Sequence, residues 1–329
     1  MDKLALLPGD GFGPSIIDAA ERTLSMATDA VEVVRADIGF DAYERTGELL
    51  PSETIKVVRE CRNIICGPVK DYRDDTGHTV NPLENLKVQL DLYAILRCFR
   101  TLADDLGAPG MDVTLWASNM VVGSDIIETR DIDGITISKY IRSSSYSRMM
   151  ARALTGIELS GKDRVVCVAQ DSIFPDSSAM FRETFDSLFD PSLYHTEHRE
   201  VQYWASKFVR NPTEFDYIVC ADLYSSVAGG MIAGLTGGNR LSPIAYVGDN
   251  CNLIVPGLYT TFEDVPRGYA NPTSAMMSVA MAITDMGLKD EAMSIVNAVM
   301  ETYAAGERTP DVGGNLSTEE FTDRVMSRI

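Results

Sequence analysis

The chain has 329 residues, 45% hydrophobic and 23% charged, and a formal net charge of −19. That length suits two domains or one large two-lobed unit, and the composition is that of a folded protein. The acidity argues against a nucleic-acid partner, which needs concentrated lysine and arginine, and no apolar run approaches the roughly 20 residues of a membrane span.

Lys3–Leu7 reads as a short strand, Pro8–Pro14 as a Gly-rich turn and Ser15–Thr28 as a helix, the opening of an α/β unit. The turn reproduces neither G-x-G-x-x-G nor a Walker lysine, so phosphate cradling and chain reversal explain it equally well. Val31–Val34 and Asn63–Cys66 are further strands, with a helix over Ser52–Cys61 between them. Val113–Trp116 is a strand. Asp125–Thr129 and Ile135–Ile141, joined through Asp133-Gly134, predict a hairpin. Ser144–Leu154 is helical. Arg164–Ala169 and Tyr217–Cys220 are apolar and β-branched enough to be buried parallel strands, with a helix over Ser177–Phe189 between them. Helices follow over Pro272–Asp285 and Lys289–Ala304. This alternation predicts a mostly parallel sheet with helices on both faces.

The six cysteines contain no C-x-x-C pair, and Cys167 and Cys220 lie in apolar runs, so free buried thiols are expected rather than disulfides or zinc. His195 and His198 lie in a polar segment, where a structural or solvent-facing role is expected. The opening Met1-Asp2-Lys3-Leu4 has no secretory pattern, and a cytoplasmic location is expected.

Several stretches, in order, resemble the isocitrate/3-isopropylmalate dehydrogenase family. Leu7–Gly13 is similar to the family's opening L-P-G-D-G-I-G, and Leu90–Arg97 to D-L-Y-A-N-L-R. Gly134–Leu154, Val209–Val219, Ala270–Thr273 and Pro310–Phe321 match later segments. Asp222–Gly238, D-L-Y-S-S-V-A-G-G-M-I-A-G-L-T-G-G, resembles the segment that supplies two metal-binding aspartates. The resemblance implies an α/β fold of two lobes with a mostly parallel sheet and a dimer arm. It places residues 1–97 plus 247–329 in a first, cofactor-side lobe and 98–246 in a second, with the arm at about 125–141 and the dimer interface.

The family uses arginines for substrate carboxylates, three aspartates for a divalent metal, and a tyrosine and a lysine for proton transfer. Here the first arginine is Arg97. A second arginine falls on Ala117 or Ser118, the tyrosine on Ser124, the lysine on Gln170, and the partner-subunit aspartate on Gln202. The other two aspartates fall on Ser226 and Gly230, so no metal ligand is assigned and no magnesium or manganese is expected. Arg97, Asn119 and Asp222 are the candidate ligand-cleft residues. On the cofactor side an adenine-stacking histidine falls on Leu258 and a ribose-binding aspartate on Glu263, while Asn271 is retained; NAD stays open as a cofactor at a weakened site. For Asn271 a helix cap and a nucleotide role are equally good readings.

Loss of cations together with anions predicts a near-neutral cleft that buries no unpaired charge, suited to a neutral small molecule. The expected function is a non-catalytic or regulatory subunit or binding protein, as a homodimer or paired with an active paralogue. The alternative is a divergent, metal-independent enzyme, with NAD still open to it, using Arg97, Asp222, Asp171 and Tyr259. An ordinary decarboxylating dehydrogenase ranks last.

Overall fold

A computed structural model describes residues 1–73, 79–119, 121–122, 124–257 and 265–329, with backbone only at 124 and 125. The chain begins β1 (Asp2–Leu7), α1 (Gly13–Ala27), β2 (Val31–Arg35), α2 (Phe40–Thr46), α3 (Ser52–Arg59), β3 (Asn63–Cys66), β4 (Tyr72–Arg73), β5 (Thr79–Val80), α4 (Pro82–Gln89) and β6 (Ala94–Arg100). It continues through β7 (Asp112–Ser118), β8 (Ser124–Arg130), β9 (Ile135–Ile141), α5 (Ser143–Ser160), β10 (Arg164–Ala169), α6 (Pro175–Leu188), β11 (His195–Glu200), α7 (Val201–Arg210), β12 (Tyr217–Cys220), α8 (Asp222–Leu235) and β13 (Ile244–Val247). It closes with β14 (Asn252–Val255), α9 (Thr273–Asp285), α10 (Lys289–Ala304) and α11 (Thr318–Met326).

Ten strands form one sheet in the order β11-β10-β12-β7-β6-β13-β14-β3-β1-β2. Strands β11, β10, β12 and β7 run parallel, as do β14, β3, β1 and β2. The β7–β6, β6–β13 and β13–β14 pairings are antiparallel. The sheet is therefore two parallel blocks of opposite direction, joined through β6 and β13.

Strand alternation distributes the core. Leu4 and Leu6 face α1, α9 and α10, while Ala5 and Leu7 join Val58, Leu83 and Leu86 on the other face. Val165, Cys167 and Ala169 face α5 and α6, and Val166 and Val168 face Trp204 and Phe208 of α7. Because both faces are covered, these strands read as continuous apolar runs. Helices α1 and α11 pack together, so the two ends of the chain meet in one layer.

The predicted hairpin forms as β8–β9, and Asp131 turns it by accepting from the amides of Asp133 and Gly134 at 2.9 and 2.8 Å. The opening Gly-rich turn is held by backbone approach: a Cβ on Gly9 would lie 2.4 Å from the carbonyl oxygen of Pro68. Its Asp10 is buried and accepts from the amides of Phe40 and Lys70 at 2.7 and 2.8 Å. That carboxylate starts α2 and ties the turn to the chain after β3.

All six cysteines are free, and Cys167 and Cys220 are buried as expected. The polar segment His195–Glu200 is a strand, β11, at the sheet edge, where one side needs no apolar partner. His198 bonds Asp186 at 2.7 Å. The lobe boundaries drawn from the sequence fall inside β6 and at the last residue of β13.

Candidate functional site

A cavity of about 240 Å³ lies on the middle of the sheet beneath α8, lined by residues of β6, β7, β13, α8 and the turn at Asn239. Its floor follows from register. Ile95 pairs with Ala117 and Tyr246, and Arg97 pairs with Leu115. With Ile244, these side chains alternate with neighbours that point into the opposite core and so share one face of the pleat. Helix α8 supplies Ser225, Ser226 and Gly230, with Ser226 and Gly230 exposed at the mouth.

Arg97 is 7% exposed and is the charged side chain of this lining. Its Nη2 donates to Asn239 Oδ1 at 2.9 Å, and its guanidinium carbon lies 4.5 Å from the centre of the Phe99 ring. Backbone of α8 presses on the guanidinium: a Cβ on Gly229 would lie 2.5 Å from Nη1. No carboxylate pairs with it among the described residues, and Nε has no hydrogen-bond partner. Burial pulls its pKa down to about 10, so it stays cationic at neutral pH. The near-neutral cleft expected from the sequence is therefore not what forms. Among the described residues this buried cation has no carboxylate partner, and the nearby α8 positions Ser226 and Gly230 carry no charge.

One turn before Ser226, Asp222 takes a different course. It is 4% exposed and its Oδ2 accepts from Lys139 Nζ of β9 at 2.5 Å, while Oδ1 accepts from the amide of Leu223. The hairpin is thus bonded to the start of α8 by a nearly buried ion pair. Buried Tyr146 has its hydroxyl pKa pushed up, first by burial and then by the charge of Asp222.

The other sequence candidates scatter. Asn119 is buried and donates to the carbonyl of Leu92 at 2.7 Å, so it braces the chain crossing after β7. Gln170 is buried, bonds Ser172 Oγ at 2.7 Å and leaves its Oε1 without a partner. Gln202 is exposed on α7 and bonds Glu200 at 2.6 Å. Asp171 is paired with Arg182, at 2.9 Å from Nε and 2.8 Å from Nη2. Asn271 accepts from the amide of Thr273 at 2.9 Å and donates to Tyr303 Oη and Asp311 Oδ2, each at 3.2 Å. It begins α9 and ties it to α10. The side chain of Ser124, and Leu258, Tyr259 and Glu263, lie outside the described residues.

Sequence reasoning missed Lys139 and Asn239. The one signal for Lys139 was a lone charge in the alternating run I-T-I-S-K-Y-I; for Asn239 there was none.

A hard divalent cation needs carboxylate oxygens. Ser226 offers one neutral oxygen and Gly230 none, so the lip of the cavity does not fit a magnesium or manganese site. Among the described residues no group of three or more His, Cys, Asp or Glu side chains is placed to hold a metal. A larger depression of about 490 Å³ at the far edge of the sheet is lined by Arg164, Asp216, Lys207 and Glu214, which pair with each other at 2.7 and 3.0 Å.

A ten-stranded mixed sheet with a projecting hairpin and a cavity at its centre is the frame of a dehydrogenase fold, and comparison with known proteins agrees. The sequence profile of the isocitrate/isopropylmalate dehydrogenase family matches residues 3–325, and the chain belongs to that family. It is 28% identical over 329 residues to the isocitrate/homoisocitrate dehydrogenase of Thermus thermophilus, covering 99% of this chain and 98% of that one. It is 26% identical over 330 residues to the 3-isopropylmalate dehydrogenase of Archaeoglobus fulgidus, covering 99% of each. In structure it is similar to an apo β-decarboxylating dehydrogenase of Thermococcus kodakarensis, with a TM-score of 0.90, 23% identity and coverage of 100% and 96%.

Proposed function

We propose that this chain is a family member that does not perform metal-dependent oxidative decarboxylation and serves as a regulatory or ligand-binding subunit, alone or with an active relative. The observation that carries the reading is the lip of the Arg97 cavity. The positions that match the family's two metal-binding aspartates, Ser226 and Gly230, sit at the mouth of the cavity that holds the matching arginine. On this reading the position of the site is retained and its donor chemistry is not. The commitment of Asn271 to Thr273, Tyr303 and Asp311 supports a weakened nicotinamide-nucleotide site. Ile127, Ile135, Ile137 and Tyr140, exposed on both faces of the hairpin, support association with a second subunit.

Metal-assisted polarisation is worth several kcal/mol and acid–base groups ~10²–10⁴-fold. A chain lacking both is expected to be silent with isocitrate, homoisocitrate or 3-isopropylmalate, NAD or NADP, and Mg²⁺ or Mn²⁺. Turnover above ~1 s⁻¹ in that assay would refute the proposal. In the same assay set, Ser226→Asp with Gly230→Asp is expected to raise Mn²⁺ affinity in calorimetry, because it restores two hard oxygen donors at the lip.

A divergent enzyme is the second reading. The observation favouring it is the Lys139–Asp222 pair with Tyr146 nearby, a set of titratable groups one turn from the cavity. Conversion of a ligand abolished by Lys139→Met but not by chelation would favour it.

A further inference from the structure

We infer that the Arg97 cavity takes a small organic monoanion, a short aliphatic monocarboxylate, and holds it without a divalent cation. The inference rests on the proposed loss of metal chemistry and names the ligand class of that site. It departs from the di- and tricarboxylates that the family resemblance implies.

Charge sets the first limit. Among the described residues the lining contains one cation, Arg97, and no acidic side chain. One guanidinium compensates one carboxylate through charge-assisted hydrogen bonds. A second carboxylate in the same space would lie against Ile95, Leu115, Ala117 or Ile244, where an unpaired charge is strongly disfavoured.

Position sets the second. The Phe99 ring and the backbone at Gly229 press on the guanidinium, and Asn239 bonds one end of it. Arg97 therefore cannot reach a carboxylate elsewhere on the protein without leaving its packing. A pre-placed cation that lines a cavity and has no carboxylate partner among the described residues is suited to an anionic ligand.

Size and lining set the third. The cavity, about 240 Å³, falls below the ~300–1,000 Å³ of drug-sized ligand sites. Aliphatic side chains make most of its floor, which favours an apolar body over a bare inorganic ion. The Ser226 hydroxyl at the mouth is a neutral donor for a ligand oxygen, and Gly230 leaves the entrance open, since a Cβ there would meet nothing within 4 Å.

The test is calorimetry in excess chelator with 3-methylbutanoate, its amide, isocitrate and sodium nitrate as separate titrants. The acid is expected to bind, and the amide to bind at least ~30-fold more weakly, the low end for unpairing a buried charge. Arg97→Met is expected to weaken the acid to the same degree. Gly230→Met keeps Arg97, blocks the mouth, and should weaken the acid at least ~10-fold; it remains informative if Arg97→Met fails to fold. Equal binding of acid and amide, nitrate matching the acid, isocitrate binding more tightly, or no binding of the acid would each overturn the inference. A parallel turnover assay with isocitrate and Mn²⁺ keeps the two ideas separate. Activity there refutes the non-catalytic reading, whereas silence there with no acid binding refutes only the ligand class.

Discussion

Arg97 beneath α8 and Asn271 at the start of α9 are both more than nine-tenths buried, and both lie in stretches that match the family. Asn271 donates to Tyr303 and Asp311 and accepts from Thr273, so its carboxamide is used by the fold. Arg97 has one hydrogen bond, to Asn239, and no anion among the described residues. Between these extremes is the Lys139–Asp222 pair, a part-buried cation with its buried anion, one turn along α8 from the cavity. Burial alone therefore does not identify a binding residue. Asn271 has its partners inside the fold, whereas Arg97 has no carboxylate among the described residues and lines a cavity, and it is that combination that points to a ligand.

The sharpest break of that comparison is at the paired cation. Lys139→Met leaves Asp222 buried and uncompensated and is expected to destabilise by ~3–5 kcal/mol. Lys139→Met with Asp222→Leu should recover most of the loss, and a double-mutant cycle in urea measures the coupling. If the pair is solvent-screened instead, the single variant will cost under ~1 kcal/mol.

Asn271→Ala removes the bond to the Thr273 amide and two partners inside the α9–α10 junction. The expected loss is about 2–3 kcal/mol, read as a lower urea midpoint with unchanged slope. Arg97→Met should move stability the other way. Exchanging a buried cation that has no carboxylate among the described residues for an apolar chain of similar length is expected to stabilise by ~1–2 kcal/mol, while removing the proposed anion site. A destabilised Arg97→Met protein would mean that Arg97 is a structural residue like Asn271.

The smallest effect concerns a cation that is paired but half exposed. Tyr93 at 2.6 Å and Arg148 at 2.8 Å both donate to Asp249, and they hold the Asp249 carboxyl below the ordinary 3.8. A depressed acid stabilises the fold above its unfolded value and loses that contribution as pH falls through the folded one. Stability should therefore decline below about pH 4, and Arg148→Met should flatten the decline. Screening of these exposed groups keeps the difference under ~1 kcal/mol, measurable by thermal unfolding between pH 3 and 6.

Much of the fold was legible before the structure. Val165, Val166 and Val168, and Tyr217–Cys220, announced buried parallel strands because both faces of each are covered. Asp133-Gly134 announced the hairpin. Strand β11 escaped because H-T-E-H-R-E has no apolar alternation to read, and an edge position needs none. Helix α2 escaped because its start is fixed by Asp10, 30 residues earlier, through the amide of Phe40. Of the candidate site, the sequence named Arg97, Ser226 and Gly230, which the fold brings to one cavity.

What the sequence determined by itself was the order of many elements and the family, because periodicity, turn chemistry and residue identity are local properties. What only the tertiary structure decided was the pairing of charges. Lys139 meets Asp222 across 83 residues, and Arg97 meets Asn239 rather than a carboxylate across 142. Both outcomes depend on how β6 and β13 join two opposed parallel blocks, and on how closely α8 and the hairpin approach that junction. Coulomb energy and desolvation depend on distance and burial, which a linear chain does not carry, so residue identities could be read from the sequence and the partners of these charges could not.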